Sequence, residues 1–207
     1  DVLLITPPFT QLNTPYPATI YLKGFLNTKQ ISSYQMDLGI EVITSMFSKE
    51  SLKKLFDFAL ENNTIISENS QRIYALKNDY LTTINAVISF LQGKNQTLAR
   101  QICTDNFLPE ASRFVQLDDM EWAFGNMGNN DKARHLCTLY LEDISDLIIE
   151  AIDPNFGFSR YAERLGRSAA TFDELDAELK KEDTYFDEVL LALLGPHLSE
   201  TSYATVF

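Results

Sequence analysis

The first 38 residues hold two short apolar runs with a helical pattern between them, and this arrangement constrains the fold most. Residues 2–5 form a continuous apolar run, as in strands buried on both faces. Pro7 and Pro8 end the run, residues 20–26 carry apolar side chains at helical spacing, and residues 32–38 alternate as a second strand. We expect a parallel pair of strands joined by a right-handed crossover helix.

The chain after residue 38 is predicted to be almost wholly helical. The strongest amphipathic pattern covers residues 136–152, and another periodic stretch covers residues 73–91. A last helix is expected from about residue 185 to residue 194. The expected ends are set by capping residues and helix breakers: Ser48, Asp118 or Asp119, and Thr171 at N-termini, and Gly93, Pro154 and Gly195-Pro196 at C-termini.

The last residues have the composition of a strand. Because a single parallel pair makes a poor sheet, we expect residues 201–207 to begin a third strand that is truncated; a natural C-terminus packed as an edge strand is the alternative. The expected fold class is mainly α, with a small parallel β element that starts a Rossmann-like sheet and a long helical insertion. The expected domains are a partial Rossmann-like unit at residues 1–38 and a helical region at residues 39–200.

Composition excludes several classes of protein. The chain is 45% hydrophobic, which is too apolar for a disordered protein, and its net charge of −12 opposes binding to nucleic acid or to an anionic membrane. No apolar run approaches the roughly 18 residues that span a bilayer. The first residues lack the features of a signal peptide, so a cytoplasmic location is expected.

The common catalytic and metal-binding motifs are missing from the sequence. No glycine-rich turn follows the first strand, so Asp37, placed where a ribose-binding acid would lie, is expected to act as a turn or cap residue. Cys103 and Cys137 are expected to be buried free thiols, although a disulfide between them stays open. The histidines, His135 and His197, nominate no zinc site. Three pairs of acids are interpreted as charges on helix ends and solvated faces: Asp118-Asp119, Glu142-Asp143 and Glu182-Asp183.

Two aromatic loops are unusual for plain scaffolding. One contains Pro7-Pro8-Phe9 and Tyr16-Pro17 at the carboxyl end of a parallel strand, where open sheets place ligands. The other, residues 155–161, clusters aromatic residues and an arginine around a glycine. For both loops, packing against the helices is the competing interpretation.

Residues 3–9, followed by Pro15-Tyr16-Pro17-Ala18, residues 22–26 and Met36-Asp37-Leu38, carry a resemblance to a known family. This opening resembles the start of radical S-adenosylmethionine enzymes that have an N-terminal cobalamin-binding-like domain, an Fe-S oxidoreductase type. Residues 117–125 and 157–162 resemble a helical insertion found in a subset of these enzymes.

The resemblance implies a non-catalytic N-terminal fragment, with residues 1–38 as part of the cobalamin-binding-like domain. The parent protein would bind S-adenosylmethionine and a [4Fe-4S] cluster, and the cluster would be held by a C-x₃-C-x₂-C run that this chain lacks. The fragment's partner would be the catalytic barrel of the parent chain. Cobalamin is the candidate cofactor here, without the histidine of the D-x-H-x-x-G motif. The candidate cofactor-binding residues are Thr6, Pro7, Pro8, Phe9, Tyr16 and Asp37; no catalytic residue and no metal ligand is nominated.

Two other functions stay open at this stage. The acidic helices could form a protein-interaction module, or the chain could be a small self-sufficient enzyme.

Overall fold

The computed structural model describes residues 1–8, 12, 16–62, 64–104, 106–117, 128–154, 156–158, 171–181, 183–200, 203 and 205–206. The predicted helix around Trp122 and Phe124, with Asp118 and Asp119, lies outside these residues. The elements in chain order are β1 (Val2–Thr6), α1 (Pro17–Thr28), β2 (Ser33–Asp37), α2 (Leu38–Met46), α3 (Lys49–Glu61), α4 (Glu68–Ala75), α5 (Lys77–Leu91), α6 (Ala99–Ile102), α7 (Asn129–Ala151), α8 (Phe172–Leu179), α9 (Tyr185–Glu200) and β3 (Thr205–Val206). Short 3₁₀ turns cover Gln96–Leu98 and Ser112–Leu117. The protein is mainly helical with a small parallel sheet, as the sequence predicts.

The chain divides into two compact units. The sheet unit consists of Asp1–Met46 and Asn155–Phe207, and the helical unit is Phe47–Pro154. The contacts therefore group α2, α8 and α9 with the sheet, whereas α3 to α7 form a separate body.

The sheet has three parallel strands in the order β2-β1-β3. The register pairs Val2 with Ser33 and Thr6 with Asp37 on one side of β1, and Val2 with Thr205 on the other. Leu3 and Leu4 point to opposite faces of β1, and both are buried, which explains why the strand is apolar at successive positions. Helices α1 and α2 both contact β1, and α9 contacts α2.

The ends of several helices follow the predicted capping chemistry. Ser48 Oγ accepts a hydrogen bond from the amide of Ser51 at 3.2 Å, which satisfies one orphan donor of α3. Helix α5 ends at Leu91, and Gly93 follows with a φ of 76°, a left-handed conformation that glycine adopts without steric strain. There the amide of Gly93 bonds to Phe90 and that of Lys94 to Ser89, so two orphan carbonyls are satisfied in a Schellman motif.

Two predicted helix boundaries are wrong. The periodic stretch at residues 73–91 is two helices, α4 and α5, because the backbone leaves helical geometry at Leu76, with φ −87° and ψ 9°. Helix α9 continues through Gly195 and Pro196 to Glu200. Proline removes one backbone donor, but the turns on either side supply the remaining hydrogen bonds, so the helix is not terminated.

The core of the helical unit is built from large side chains of α3, α5 and α7. Its fully buried members include Leu52, Phe56, Tyr80, Ile84, Tyr140, Ile144 and Ile148. Within the described residues, no helix is long and apolar enough to cross a membrane.

Candidate functional site

The carboxyl edge of the sheet is the first place to look for a ligand site. Thr6, the last residue of β1, lies opposite Asp37, the last residue of β2. Because β2 and β3 lie on opposite sides of β1, the direction of strand connection reverses at the carboxyl end of β1. Open parallel sheets bind ligands in the crevice at such a reversal. The segment that starts at Pro7 leaves the sheet at this point.

A polar cluster made of Thr6, Thr19 and Gln35 lies beside this edge; we call it the hydroxyl cluster. The hydroxyl oxygens of Thr6 and Thr19 are 3.1 Å apart, and Gln35 Nε2 donates to Thr19 Oγ1 at 3.0 Å. Both threonines are buried, whereas Gln35 is exposed. The cluster therefore ties α1 to both β1 and β2, and its two buried hydroxyl groups satisfy each other away from water.

Sequence reasoning missed Thr19 and Gln35. Strand alternation was the available signal, because it places Gln35 and Asp37 on one face of β2, and the register puts Thr6 on the same face. A threonine in the first turn of the crossover helix is then the natural partner for Thr6.

The other predicted cofactor-binding residues have mixed surroundings. Pro7 is exposed and Pro8 is half-buried directly after β1, while Phe9 lies outside the described residues. Tyr16 is half exposed and immediately precedes α1, with Pro17 in the first turn of that helix. The structure thus brings Thr6 and Asp37 opposite each other, with Pro7 and Pro8 adjoining.

Asp37 caps the helix that follows it. Its Oδ1 accepts a hydrogen bond from the amide of Ile40 at 3.2 Å, so the side chain caps the N-terminus of α2. The capping role expected from the sequence is therefore present. A role in binding a cofactor stays a prediction that would have to use the remaining carboxylate oxygen.

The described part of the second aromatic loop contributes to packing. Phe156 is fully buried and stacks on Phe186 of α9, with ring centroids 5.2 Å apart and planes inclined by 3°. Phe158 meets Phe156 edge to face at 5.6 Å. The other residues of this loop, 155 and 159–161, lie outside the described residues.

The helical unit contains a second polar constellation, centred on Asp143 of α7. Asp143 Oδ2 accepts the amide of Ala111 at 3.0 Å, and Oδ1 accepts the amide of Arg113 at 3.0 Å. The hydroxyl of Tyr80 also reaches Asp143, at 3.5 Å. Burial raises the pKa of Asp143, and the amides of Arg113 and Ala111 oppose that rise by favouring the charged form.

The interpretation of Glu142-Asp143 as solvated-face charges is wrong for Asp143, which is completely buried. The spacing contained the necessary signal, since Leu136, Tyr140, Asp143 and Leu147 follow one another at intervals of four, three and four residues. That is the apolar stripe of α7, so a carboxylate within it has to find buried donors.

Two tyrosines pack beside Asp143. The rings of Tyr80 and Tyr140 have centroids 5.0 Å apart, and Tyr140 donates to the backbone carbonyl of Tyr80 at 3.0 Å. The oxygens of Tyr140 and Thr83 are also 3.0 Å apart. Burial raises the pKa of both phenols, so they stay protonated and act as hydrogen-bond donors.

Helix α7 carries two further acids that hold neighbouring segments. Asp146 forms a bidentate pair with Arg113, at 2.8 Å to Nε and 2.6 Å to Nη2. Glu150 Oε1 accepts the amides of Ile66 and Ser67, each at 2.8 Å, at the start of α4. Because Asp143, Asp146 and Glu150 each fasten a segment to α7, the simplest interpretation of this constellation is structural.

The described part of the helical unit has surface grooves, of which two are lined by polar side chains. One lies between the start of α5 and residues 106–110 and is lined by Asp79, Thr82, Thr83, Phe107, Pro109 and Glu110, among others. The other lies beside the start of α7, with Arg100 and Thr97 on its opposite wall. Neither groove contains a nucleophile paired with a base.

The described residues contain no group of three or more His, Cys, Asp or Glu side chains that could hold a metal ion. Cys103 and Cys137 are free thiols, so no disulfide joins them. Cys137 is buried, and burial raises its pKa to about 12, which keeps it protonated and unreactive.

Comparison with known proteins gives no relative from which a function could be transferred: no protein-family model, no curated protein and no solved structure matches the chain.

Proposed function

We propose that this chain is the non-catalytic N-terminal region of a radical S-adenosylmethionine enzyme with a cobalamin-binding-like domain. One observation carries the proposal: a parallel sheet of order β2-β1-β3 whose central strand runs directly into Pro7 and Pro8. The resemblance of the opening residues to that family joins the same loop to the same strand.

The strand order is what favours a ligand at this loop. Flavodoxin-like sheets begin 2-1-3, and their ligand lies where the order reverses, between the first and third strands. In this chain the order reverses at β1, whose carboxyl end carries the hydroxyl cluster, while the described residues of β3 pair with Val2 and Leu3 nearer its amino end. Thr6, Pro7, Pro8, Phe9, Tyr16 and Asp37 are the residues proposed to contact cobalamin there.

The side chains at this edge of the sheet suit cobalamin binding without a histidine ligand to the cobalt. The two histidines lie at positions 135 and 197, far along the chain from β1, so the His-ligated mode of the family has no ligand in the loop that would supply it. A corrin held here would rest on apolar surface and hydroxyl groups, of which exposed Pro7 and half-exposed Tyr16 are examples.

The iron–sulfur cluster does not fit this chain. A radical enzyme of this family holds its [4Fe-4S] cluster with three closely spaced cysteines, whereas Cys103 and Cys137 are 34 positions apart and Cys137 is a buried thiol. The cluster and S-adenosylmethionine are therefore proposed to belong to the catalytic barrel of the parent protein, with which these residues would pack.

The coding sequence beyond codon 207 tests the family assignment. The proposal predicts an open reading frame that continues into a C-x₃-C-x₂-C run within a few hundred residues. A frame that closes without this run would end the radical-enzyme proposal.

Titration of the protein with hydroxocobalamin tests the ligand separately. A change in the visible spectrum that is weakened by Tyr16→Ala, and unchanged by the matched control Tyr74→Ala in the helical unit, would support a site at the loop. An unchanged spectrum would remove cobalamin while leaving the family assignment to the coding sequence.

An acidic helical module that recognises a protein partner is the second candidate function. The exposure of large apolar side chains on helices favours it, since Tyr21 of α1 and Leu179 of α8 are among the most exposed in the protein. A reading frame without the cysteine run, together with specific binding of a partner through these helices, would favour this function.

A further inference from the structure

Helix α1 turns its more apolar face to solvent. Thr19 is the residue of α1 that is buried, at 5% exposed, whereas Tyr21 is 77% and Phe25 is 58% exposed. Ala18, Tyr21, Leu22 and Phe25 follow one another at helical spacing, and all are exposed; we call them the α1 stripe. A helix normally buries such a stripe, so an exposed one marks an interaction surface.

The segment of sequence that carries the α1 stripe is basic, although the protein is acidic. Residues 2–36 contain Lys23 and Lys29 and no aspartate or glutamate, in a chain of net charge −12. Lys29 Nζ lies 5.6 Å from the centroid of the Phe25 ring, so one cation sits directly on the stripe. The chemistry that complements this surface is an apolar stripe flanked by acids.

Helix α8 has that chemistry. Phe172 and Leu179, seven residues apart and hence on one face, are 72% and 81% exposed; we call them the α8 stripe. The eight residues of α8 include Asp173, Glu174, Asp176 and Glu178 and no basic residue. Asp176 is already paired with Lys180, at 2.5 Å, whereas Asp173 is exposed.

We propose that the α1 stripe binds the α8 stripe of a second copy of this chain. Each copy exposes both an α1 stripe and an α8 stripe, so a two-fold dimer forms the α1–α8 contact twice and leaves neither stripe exposed. An anionic membrane is a poorer occupant, because two lysines supply little attraction while the net charge of −12 repels the surface. The proposal does not depend on the radical-enzyme assignment.

Sedimentation equilibrium of the 207-residue chain over a range of concentrations tests the pairing. We expect a reversible dimer that weakens as salt is added, since screening reduces the attraction between Lys29 and the acids of α8. A chain that stays monomeric throughout, or that forms open-ended assemblies, would overturn the proposal.

Variants on each stripe locate the contact. Tyr21→Ser and Phe172→Ser should each weaken the dimer about tenfold or more, as loss of an aromatic anchor does. Ile66→Ser is the matched control, because Ile66 is 74% exposed in the helical unit and should leave the dimer unchanged. Phe25→Ser and Leu179→Ser repeat the test if either first variant loses helical content by circular dichroism. Dimerisation that survives changes in one stripe would contradict the pairing.

Exchanging the charges of Lys29 and Asp173 tests whether the α1 stripe of one copy contacts the α8 stripe of the other. Lys29→Glu and Asp173→Lys should each weaken self-association, because each places like charges across both copies of the contact. An equimolar mixture of the two variants restores opposite charges at both contacts and should form a heterodimer of near wild-type affinity. A mixture that associates no better than the separate variants would exclude the proposed register.

Discussion

The backbone amide of Ala111 donates a 3.0 Å hydrogen bond to the carboxylate of Asp143, which lies 32 residues further along the chain. The same carboxylate accepts the amide of Arg113. The loop that carries these two amides is thereby fixed to the most buried stripe of α7, at the cost of placing a carboxylate in the core.

Asp143→Asn should destabilise the protein by roughly 2–4 kcal/mol, because the amide nitrogen faces a backbone donor and leaves it unsatisfied. Urea unfolding followed by circular dichroism measures the change. Glu142→Gln, at the neighbouring half-buried position where the carboxylate lies 4.0 Å from Arg113, should cost no more than about 0.5 kcal/mol. Equal effects of the two substitutions would mean that Asp143 does not fasten the loop.

The contributions of Asp143 and Glu150 to the free energy of unfolding should depend on pH in opposite directions. Burial raises the pKa of Asp143 above its ordinary value of 3.8, so the proton-linked part of its contribution to stability is complete below that value and is lost as the pH rises through the raised pKa. The hydrogen bonds that the carboxylate accepts from Ala111 and Arg113 remain above that pH. For Glu150, burial also acts to raise the pKa, but hydrogen bonds from Ser67 and Ile66 prevail and lower it below 4.5. Its contribution is therefore present above 4.5 and is lost as the pH falls through the lowered pKa.

Unfolding free energies of the wild type, Asp143→Asn and Glu150→Gln, measured across the acid range, test these directions. The deficit of Glu150→Gln should disappear at low pH, whereas that of Asp143→Asn should grow as the pH falls. Parallel curves for the two variants would contradict the assigned environments.

Thr19→Val should cost about 1–2 kcal/mol, because it removes the partner of the buried Thr6 hydroxyl while keeping the shape of the side chain. Thr28→Val, in the last turn of the same helix, is the control; its hydroxyl is exposed and bonds to the carbonyl of Phe25. Thermal or urea unfolding should separate the two variants, and a cost at Thr28 as large as that at Thr19 would count against the hydroxyl cluster.

Gly93→Ala should destabilise by about 1 kcal/mol, since its φ of 76° strains a residue with a Cβ. The added carbon would lie 3.9 Å from Gln96 Nε2, an ordinary van der Waals distance, so crowding adds nothing. Gly24→Ala inside α1 meets open space and should stabilise by up to about 1 kcal/mol. The same sign of change in both variants would show that backbone conformation does not decide the outcome.

The sequence predicts this fold where local chemistry decides structure. The apolar run of β1, the serine cap at Ser48 and the glycine stop at Gly93 each act within a few residues, and the structure has all three. The break at Leu76 and the passage of α9 through Pro196 were not predicted. Apolar periodicity continues across Leu76 although the backbone does not, and a proline removes one backbone donor from a helix without necessarily ending it.

The candidate site was harder to predict than the fold. Periodicity identifies α1, but it does not say which face lies on the sheet, and the answer depends on the pairing of Thr19 with Thr6 and Gln35. Asp143 was misplaced for a related reason: a rule based on residue type puts acids at the surface, whereas its position in the α7 stripe puts it in the core.

The iron content of the full-length gene product after anaerobic reconstitution tests the proposal that these residues introduce a radical S-adenosylmethionine enzyme. We expect about four irons and matching sulfide per chain, held by a C-x₃-C-x₂-C run outside residues 1–207, with none bound by residues 1–207 alone. A full-length protein that binds no cluster under these conditions would contradict it.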